Sequence, residues 1–101
     1  MSEYSIKIHS QALDDIQDAT DWYNRQLNGL GKRYQSQVIR QINKLKVSAQ
    51  LYAIRYDDVR CMIVKKFPFM VHYRVDTKSN VVIVYAVFHT SLNPRIWDGR
   101  K

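Results

Sequence analysis

The C-terminal half of the chain carries basic and histidine side chains whose chemistry suits a polyanionic substrate. Histidine gains and loses a proton near neutral pH, while arginine and lysine stabilise negative charge on phosphate oxygens. Phosphoryl chemistry needs a proton-transfer group and cations around the same reacting atom. The residues that could fill these catalytic roles are Arg60, Lys65, Lys66, His72, Arg74 and His89.

Strand alternation decides which of these side chains can act together. Because successive strand residues point to opposite faces, His72 and Arg74 are expected to share one face with Met70 in the strand predicted over residues 69–75. That face is either a polar patch on the sheet surface away from the helices or an ordinary strand face open to water. For His89, at the end of the last strand, a structural role and a site role are both open.

The N-terminal half predicts a strand followed by two helices. Residues 4–9 alternate apolar and polar side chains, as in a half-buried strand. Ser10 suits a helix N-cap, Asn28-Gly29 suits a helix end, and Gly31 offers a second flexible position. Apolar residues recur every three or four positions, which predicts one buried face on each helix. They are Ala12, Ile16, Ala19, Tyr23 and Leu27 on the first helix, and Tyr34, Val38, Ile42, Leu45 and Ala49 on the second.

A block of strands is predicted after the helices, over residues 52–56, 59–64, 69–75 and 81–88. The last is apolar on both faces, so it should lie at the centre of a covered sheet. The order β-α-α-β-β-β-β implies an α+β domain, with an N-terminal helical hairpin packed on a mainly antiparallel sheet. Residues 1–101 are expected to form this single domain, since no linker, repeat or low-complexity segment interrupts them.

Charge is unevenly distributed along the chain. In total, 16 Lys and Arg against 9 Asp and Glu give a net charge of +7. Residues 1–24 hold one base and five acids, net −4, and the remaining 77 hold fifteen bases and four acids, net +11. The basic part could meet nucleic acid or, equally, an acidic protein partner.

Several classes of protein are disfavoured by what the sequence lacks. The lone Cys61 cannot form an internal disulfide and is read as a small core residue. Without a signal-peptide pattern or a long apolar run, the sequence predicts a cytoplasmic protein with no membrane association. Nucleotide-binding and zinc-protease motifs are absent, and neither histidines nor carboxylates show ligand spacing. No metal and no organic cofactor is therefore expected.

A set of short motifs, taken in chain order, resembles one known family. The motifs are Trp22-Tyr23, Gly29-Leu30-Gly31, Val59-Arg60, the run Lys66 to Val75, Val87-Phe88-His89, Asn93-Pro94 and Trp97. In this order they are similar to RelE/ParE superfamily toxins of bacterial type II toxin–antitoxin systems, over nearly the whole chain. The resemblance implies a growth inhibitor that is neutralised by a cognate antitoxin protein, whose acidic disordered segment would order itself on the toxin.

The superfamily contains both ribosome-dependent mRNA endonucleases and inhibitors of DNA gyrase, and fold alone does not separate them. Cleaving members commonly carry an arginine where this chain has Leu92, and a catalytic tyrosine near the position of Trp97. Tryptophan has no titratable proton and cannot act as a general acid or base. Both departures favour gyrase inhibition, for which the expected target contacts are Arg74, His89, Arg95 and Trp97.

Two alternatives stay open. One is RelE-like cleavage of mRNA on the ribosome, in which Arg95 would reach the vacated charge position. Arg60 resembles an arginine that recurs in the family, and a structural or antitoxin-facing role for it is as open as a catalytic one. The other alternative is a nontoxic binding domain of the same fold, with Leu92 as a trace of decayed toxicity.

Overall fold

A computed structural model describes residues 3–92 of the chain. Strand β1 precedes two long helices, α1 and α2, and a short 3-10 turn leads from α2 into four further strands. The bounds are β1 Ser5–Ile8, α1 Ser10–Gln26, α2 Leu30–Ser48, the 3-10 turn Ala49–Leu51, β2 Ile54–Tyr56, β3 Val59–Ile63, β4 Phe69–Asp76 and β5 Val81–His89. The predicted order of elements and the α+β class are confirmed.

The five strands form one sheet in the order β1-β5-β4-β3-β2. Strands β2 to β5 pair antiparallel through short connections, whereas β1 runs parallel to β5. The sheet is thus mainly antiparallel, as predicted. The prediction that β5 is the central strand was wrong by one position, because β1 adds to its outer side and leaves β4 in the middle.

The core lies between the two helices and one face of the sheet. All the apolar positions predicted for the second helix are buried, although Ala49 lies in the 3-10 turn and not in α2, and Ala12, Ile16 and Ala19 of α1 are buried as well. Tyr23 is partly buried against the core. Leu27 is exposed over 59% of its surface, because α1 ends at Gln26 and Leu27 no longer follows the helical face. Within residues 3–92, neither helix is long and apolar enough to cross a bilayer.

Two details at the helix ends differ from prediction. Helix α1 includes Ser10 as its first residue, and the preceding His9 makes no side-chain cap. Gly31 is not a flexible turn residue, because it lies within the first turn of α2. A Cβ at this position would stand 2.1 Å from the carbonyl oxygen of Thr20, so glycine is needed for the close approach of α1 and α2.

A β-bulge interrupts the pairing of β4 with β5. His72 pairs with Ala86 but Tyr73 pairs with Val84, which leaves Tyr85 as an additional residue in β5. Near the bulge, the Asp15 carboxylate of α1 accepts a hydrogen bond from the Val87 backbone N–H at 3.1 Å. This bond links α1 directly to β5 just beyond the point where the parallel pairing with β1 ends.

Candidate functional site

The six candidate catalytic residues are divided between different parts of the sheet. Arg60 of β3 pairs directly with Tyr73, whose side chain packs in the core beneath the helices. Since cross-strand partners share a face, Arg60 lies on the helix side and His72 and Arg74 lie on the opposite side. The expected shared face of His72 and Arg74 is therefore present, but Arg60 does not belong to it.

The guanidinium of Arg60 is engaged by the protein backbone. It donates hydrogen bonds to the carbonyl oxygens of Gln50, at 3.2 Å, and Tyr52, at 2.6 Å. The Tyr73 hydroxyl donates to the Ala49 carbonyl nearby at 2.5 Å. Between them, the two side chains hold the segment that leads from α2 into β2, which gives Arg60 a structural role.

His72 is buried, which corrects the expectation that its strand face is open to water. None of its surface is exposed, and its Nδ1 lies 3.2 Å from the Tyr56 hydroxyl and 3.3 Å from the Cys61 Sγ. Burial, helped by the positive charge of Arg55, lowers the pKa of His72 to about 4. The imidazole is therefore neutral near pH 7 and closed to a substrate arriving from solvent.

Cys61 is buried, as its reading as a small core residue predicted. Desolvation raises the pKa of its thiol to about 11, although Arg55 acts in the opposite direction. At neutral pH Cys61 is thus a thiol, whereas nucleophilic attack requires the thiolate. The contact between Cys61 and His72 therefore joins a neutral thiol to a neutral imidazole and is not an activated nucleophile–base pair.

Arg74 presents its charge at the surface. Its Nε donates to the Tyr85 hydroxyl at 3.0 Å, and one terminal nitrogen lies 3.6 Å from the Asp58 carboxylate. The hydrogen bond to Tyr85 raises the pKa of Arg74 above its usual value. Tyr85 in turn meets the ring of His9 edge-on at 4.9 Å. The bulge brings Tyr85 to this position, so alternation alone could not have predicted the contact.

Lys65 and Lys66 lie exposed in the loop between β3 and β4. The loop is fixed from below by Gln41 of α2, whose Oε1 accepts from the Lys65 backbone N–H at 2.7 Å. Lys66 adopts a left-handed backbone conformation with φ of 72°. Sequence reasoning missed Gln41, although a glutamine between the buried positions Val38 and Ile42 signals a polar side chain that must find partners inside.

His89 ends β5 beside a small apolar cavity. Its Nδ1 accepts from the Ser91 backbone N–H at 3.1 Å and lies 2.7 Å from the Ser91 hydroxyl. A neutral His89 thus carries its proton on Nε2. The cavity has a volume of 290 Å³ and is lined by Ala19, Trp22, Tyr23, Pro68, Phe69 and His89. Trp22 is half exposed and, with Tyr23 and Phe69, gives the cavity an aromatic lining that sequence reasoning did not identify.

The six candidate catalytic residues do not all come together around one reacting position. Lys65 and Lys66 lie near one end of the sheet, and His89 lies beside Pro68 and Phe69 at that end. His72 is buried on the sheet face opposite the helices. Arg95 and Trp97, the other expected target contacts, lie outside the described residues. What the described surface offers is a set of separate cationic and aromatic contacts.

Known structures share this fold at low sequence identity. A ParDE toxin–antitoxin system of P. aeruginosa matches with a TM-score of 0.78 and 17% identity, over 88% of this chain and 98% of that chain. The RelBE complex of E. coli matches with a TM-score of 0.66 and 16% identity, over 89% and 99%. The RelBE2 complex of Mycobacterium tuberculosis matches with a TM-score of 0.64 and 15% identity, over 86% and 98%.

Sequence comparison identifies the family. No curated protein matches the chain significantly. The family model described as "ParE toxin of type II toxin-antitoxin system, parDE" matches residues 6–94, which is most of the chain. The chain therefore belongs to the ParE toxin family of type II toxin–antitoxin systems.

Proposed function

We propose that this protein is a toxin that a cognate antitoxin neutralises, and that it arrests growth in the cytoplasm by inhibiting DNA gyrase. The family and the similar structures, which are described as toxin–antitoxin systems or complexes, support an antitoxin as the partner. Gyrase inhibition requires a contact surface and no catalytic group. The choice of gyrase as the target rests on the geometry of the candidate functional site.

The observation that carries the gyrase proposal is the state of His72. Cleavage of RNA by its own 2′-hydroxyl requires a base within hydrogen-bond reach and cations around the same phosphate. His72 is fully buried with a pKa of about 4, and Arg60 is bound to backbone carbonyls on the other side of the sheet. The burial of His72 and the backbone contacts of Arg60 therefore support structural roles for these two residues better than catalytic ones.

The described surface supports binding to a large partner. Arg74 is charged and partly exposed beside Tyr85, and Trp22 and His89 frame an apolar cavity. Arginine and tryptophan commonly supply much of the binding energy at protein interfaces. We expect Arg74 and His89 to contact the target, together with Arg95 and Trp97.

One arrangement favours the RelE-like endonuclease as a second candidate. Lys65 and Lys66 are exposed, and the strand that follows their loop begins at Phe69, which pairs with His89. Two cations and an accessible imidazole near one end of the sheet are the types of group that RNA cleavage uses. A nontoxic domain of the same fold is the remaining alternative, and the experiment below includes it.

Tightly regulated expression in a bacterium separates the three candidates. We expect growth arrest with DNA breaks, an SOS response and intact mRNA, and relief of the arrest by the product of an adjacent antitoxin gene. Mapping of mRNA ends in the same arrested cells provides the comparison. New cleavage within translated codons would establish the endonuclease instead, and undisturbed growth at full expression would indicate a nontoxic domain.

A further inference from the structure

A groove with a volume of 480 Å³ runs between α2 and the β3–β4 loop, and we refer to it as the basic groove. Its cationic lining consists of Lys32, Arg33, Arg40 and Lys66. Leu30 and Phe67 supply apolar surface, and none of the described residues that line the groove carries a carboxylate. The basic groove thus combines positive charge with an apolar contact.

The four cations of the basic groove are not explained by folding. Lys32 and Arg33 lie in the first turn of α2, where the helix dipole disfavours positive charge. Among residues 3–92, the structure shows one ion pair, between Arg74 and Asp58. The cations of the basic groove therefore have no carboxylate partner among these residues. Positive charge concentrated without internal compensation favours an anionic partner from outside.

Gln41 connects the two walls of the basic groove. Only 6% of its surface is exposed, and its Nε2 donates to the Ile63 carbonyl at 2.9 Å. Its Oε1 accepts from the Lys65 backbone N–H at 2.7 Å and from the Gln37 side-chain amide at 2.8 Å. These bonds fix the backbone immediately before Lys66, whose left-handed conformation determines how the loop turns.

We propose that the basic groove binds a carboxylate-rich segment of the antitoxin, and that Gln41 is the positioning residue that holds Lys66 in place for this contact. The inference rests on the proposed function, which supplies the partner. A peptide fits better than a nucleic acid, because the Phe67 ring packs against Tyr23 and Tyr34, at 5.2 and 5.3 Å, in the core. An aromatic ring held in this way does not present the open face on which a base stacks.

The probe is a short fluorescein-labelled peptide of glutamate and leucine. Its binding to the full chain is measured by fluorescence anisotropy. A peptide with glutamine in place of glutamate measures the apolar part of binding, and an oligothymidylate of equal formal charge measures binding of phosphates. Lys66→Asn removes the charge while asparagine tolerates the left-handed backbone. We expect it to weaken acidic-peptide binding about threefold, as for an exposed charge contact.

Lys78→Ala is the matched control for loss of one positive charge. Lys78 is exposed in the turn between β4 and β5, at the opposite end of β4 from the basic groove. We expect its substitution to leave peptide affinity within error of wild type. An equal loss in the Lys78→Ala and Lys66→Asn variants would mean that net charge alone drives binding, and would overturn the proposal.

A double-mutant cycle tests the positioning role of Gln41. Gln41→Met keeps the length of the side chain but removes both hydrogen-bonding groups, and we expect a loss of affinity similar to that in Lys66→Asn. If Gln41 acts through Lys66, the double variant binds no more weakly than either single variant. A second cycle combines Gln41→Met with Arg33→Ala. Because Arg33 lies on α2 and not on the loop that Gln41 holds, these two losses of affinity should multiply.

Each outcome bears on one proposal. If Gln41→Met lowers the unfolding temperature but leaves the peptide affinity of the folded protein unchanged, Gln41 has only a structural role and its assignment as a positioning residue is overturned. Tighter binding of oligothymidylate than of the acidic peptide, or no binding of the peptide, would overturn the assignment of the basic groove. Growth arrest by the wild-type protein is scored separately, and its absence would count against the proposed toxin function alone.

Discussion

The imidazole of His72 is enclosed on the sheet face opposite the helices, between Cys61 of β3 and Phe88 of β5. Strand alternation places the residue on this face but does not reveal what covers it. Burial by bulky neighbours is what turns a residue type suited to proton transfer into a neutral part of the interior. The same alternation correctly places Arg74, whose long side chain reaches the surface.

Burial of His72 predicts a specific pH dependence of stability. Its pKa is about 4 in the folded protein, against 6.5 for an exposed histidine, so the unfolded chain takes up the proton first as pH falls. The contribution to the free energy of unfolding is complete above pH 6.5 and declines between pH 6.5 and 4. A shift of this size corresponds to about 3 kcal/mol.

Urea denaturation across this pH range measures the effect. His72→Gln removes the titrating group and should give a flatter profile than wild type. Identical slopes for wild type and His72→Gln would show that other groups are responsible for the acid sensitivity.

Helices α1 and α2 approach closely at Gly31, and this contact predicts a large response to one methyl group. In Gly31→Ala the new Cβ would overlap the Thr20 carbonyl oxygen, so the helices must move apart. We expect a loss of about 3 kcal/mol in the free energy of unfolding, at the upper end for overpacked positions. Thermal unfolding followed by circular dichroism gives the measurement.

Gly29→Asn provides the control for the Gly31 prediction. Gly29 has a φ of 89° but nothing within 4 Å of its missing side chain. Since asparagine tolerates left-handed conformations better than other residues, the control should cost much less than Gly31→Ala. Equal losses at the two glycines would argue that backbone freedom, and not close packing, determines the role of Gly31.

The bond from Asp15 to the Val87 backbone predicts that α1 and β5 are coupled. Asp15→Ala leaves the partly buried N–H of Val87 without this acceptor, which should lower the free energy of unfolding by about 1–3 kcal/mol. Asp15→Asn keeps an acceptor oxygen and should lose less. Asp14→Ala, at the exposed neighbouring position, should be close to neutral in the same chemical denaturation experiment.

Element boundaries and the order of elements along the chain were largely accessible from the sequence, because apolar periodicity reports directly on burial. The Ala12, Ile16 and Ala19 face of α1 is an example. The bulge at Tyr85 and the close contact at Gly31 were not accessible, since both depend on how two elements meet in space. For the same reason, the sequence identified Lys66 as a candidate catalytic residue and Arg74 as a candidate site residue, but not Gln41 and Tyr85, which hydrogen-bond to the Lys65 backbone and to Arg74.

At the scale of the whole molecule, acidic residues concentrate in the first 24 positions and basic residues in the rest. The cations of the basic groove and Arg74 lie in this basic part, as does the loop with Lys65 and Lys66. A small domain with this distribution attracts acidic partners and gains stability from whatever binds its folded form. The antitoxin and the cellular target are both expected to use these surfaces.

The most direct test of the central claim is a supercoiling assay with purified protein, DNA gyrase and relaxed plasmid. We predict that the protein inhibits supercoiling in a dose-dependent manner, and that preincubation with the antitoxin restores it. Unaffected supercoiling, together with cleavage of mRNA when the same preparation is added to translating ribosomes, would contradict the account and establish an endonuclease.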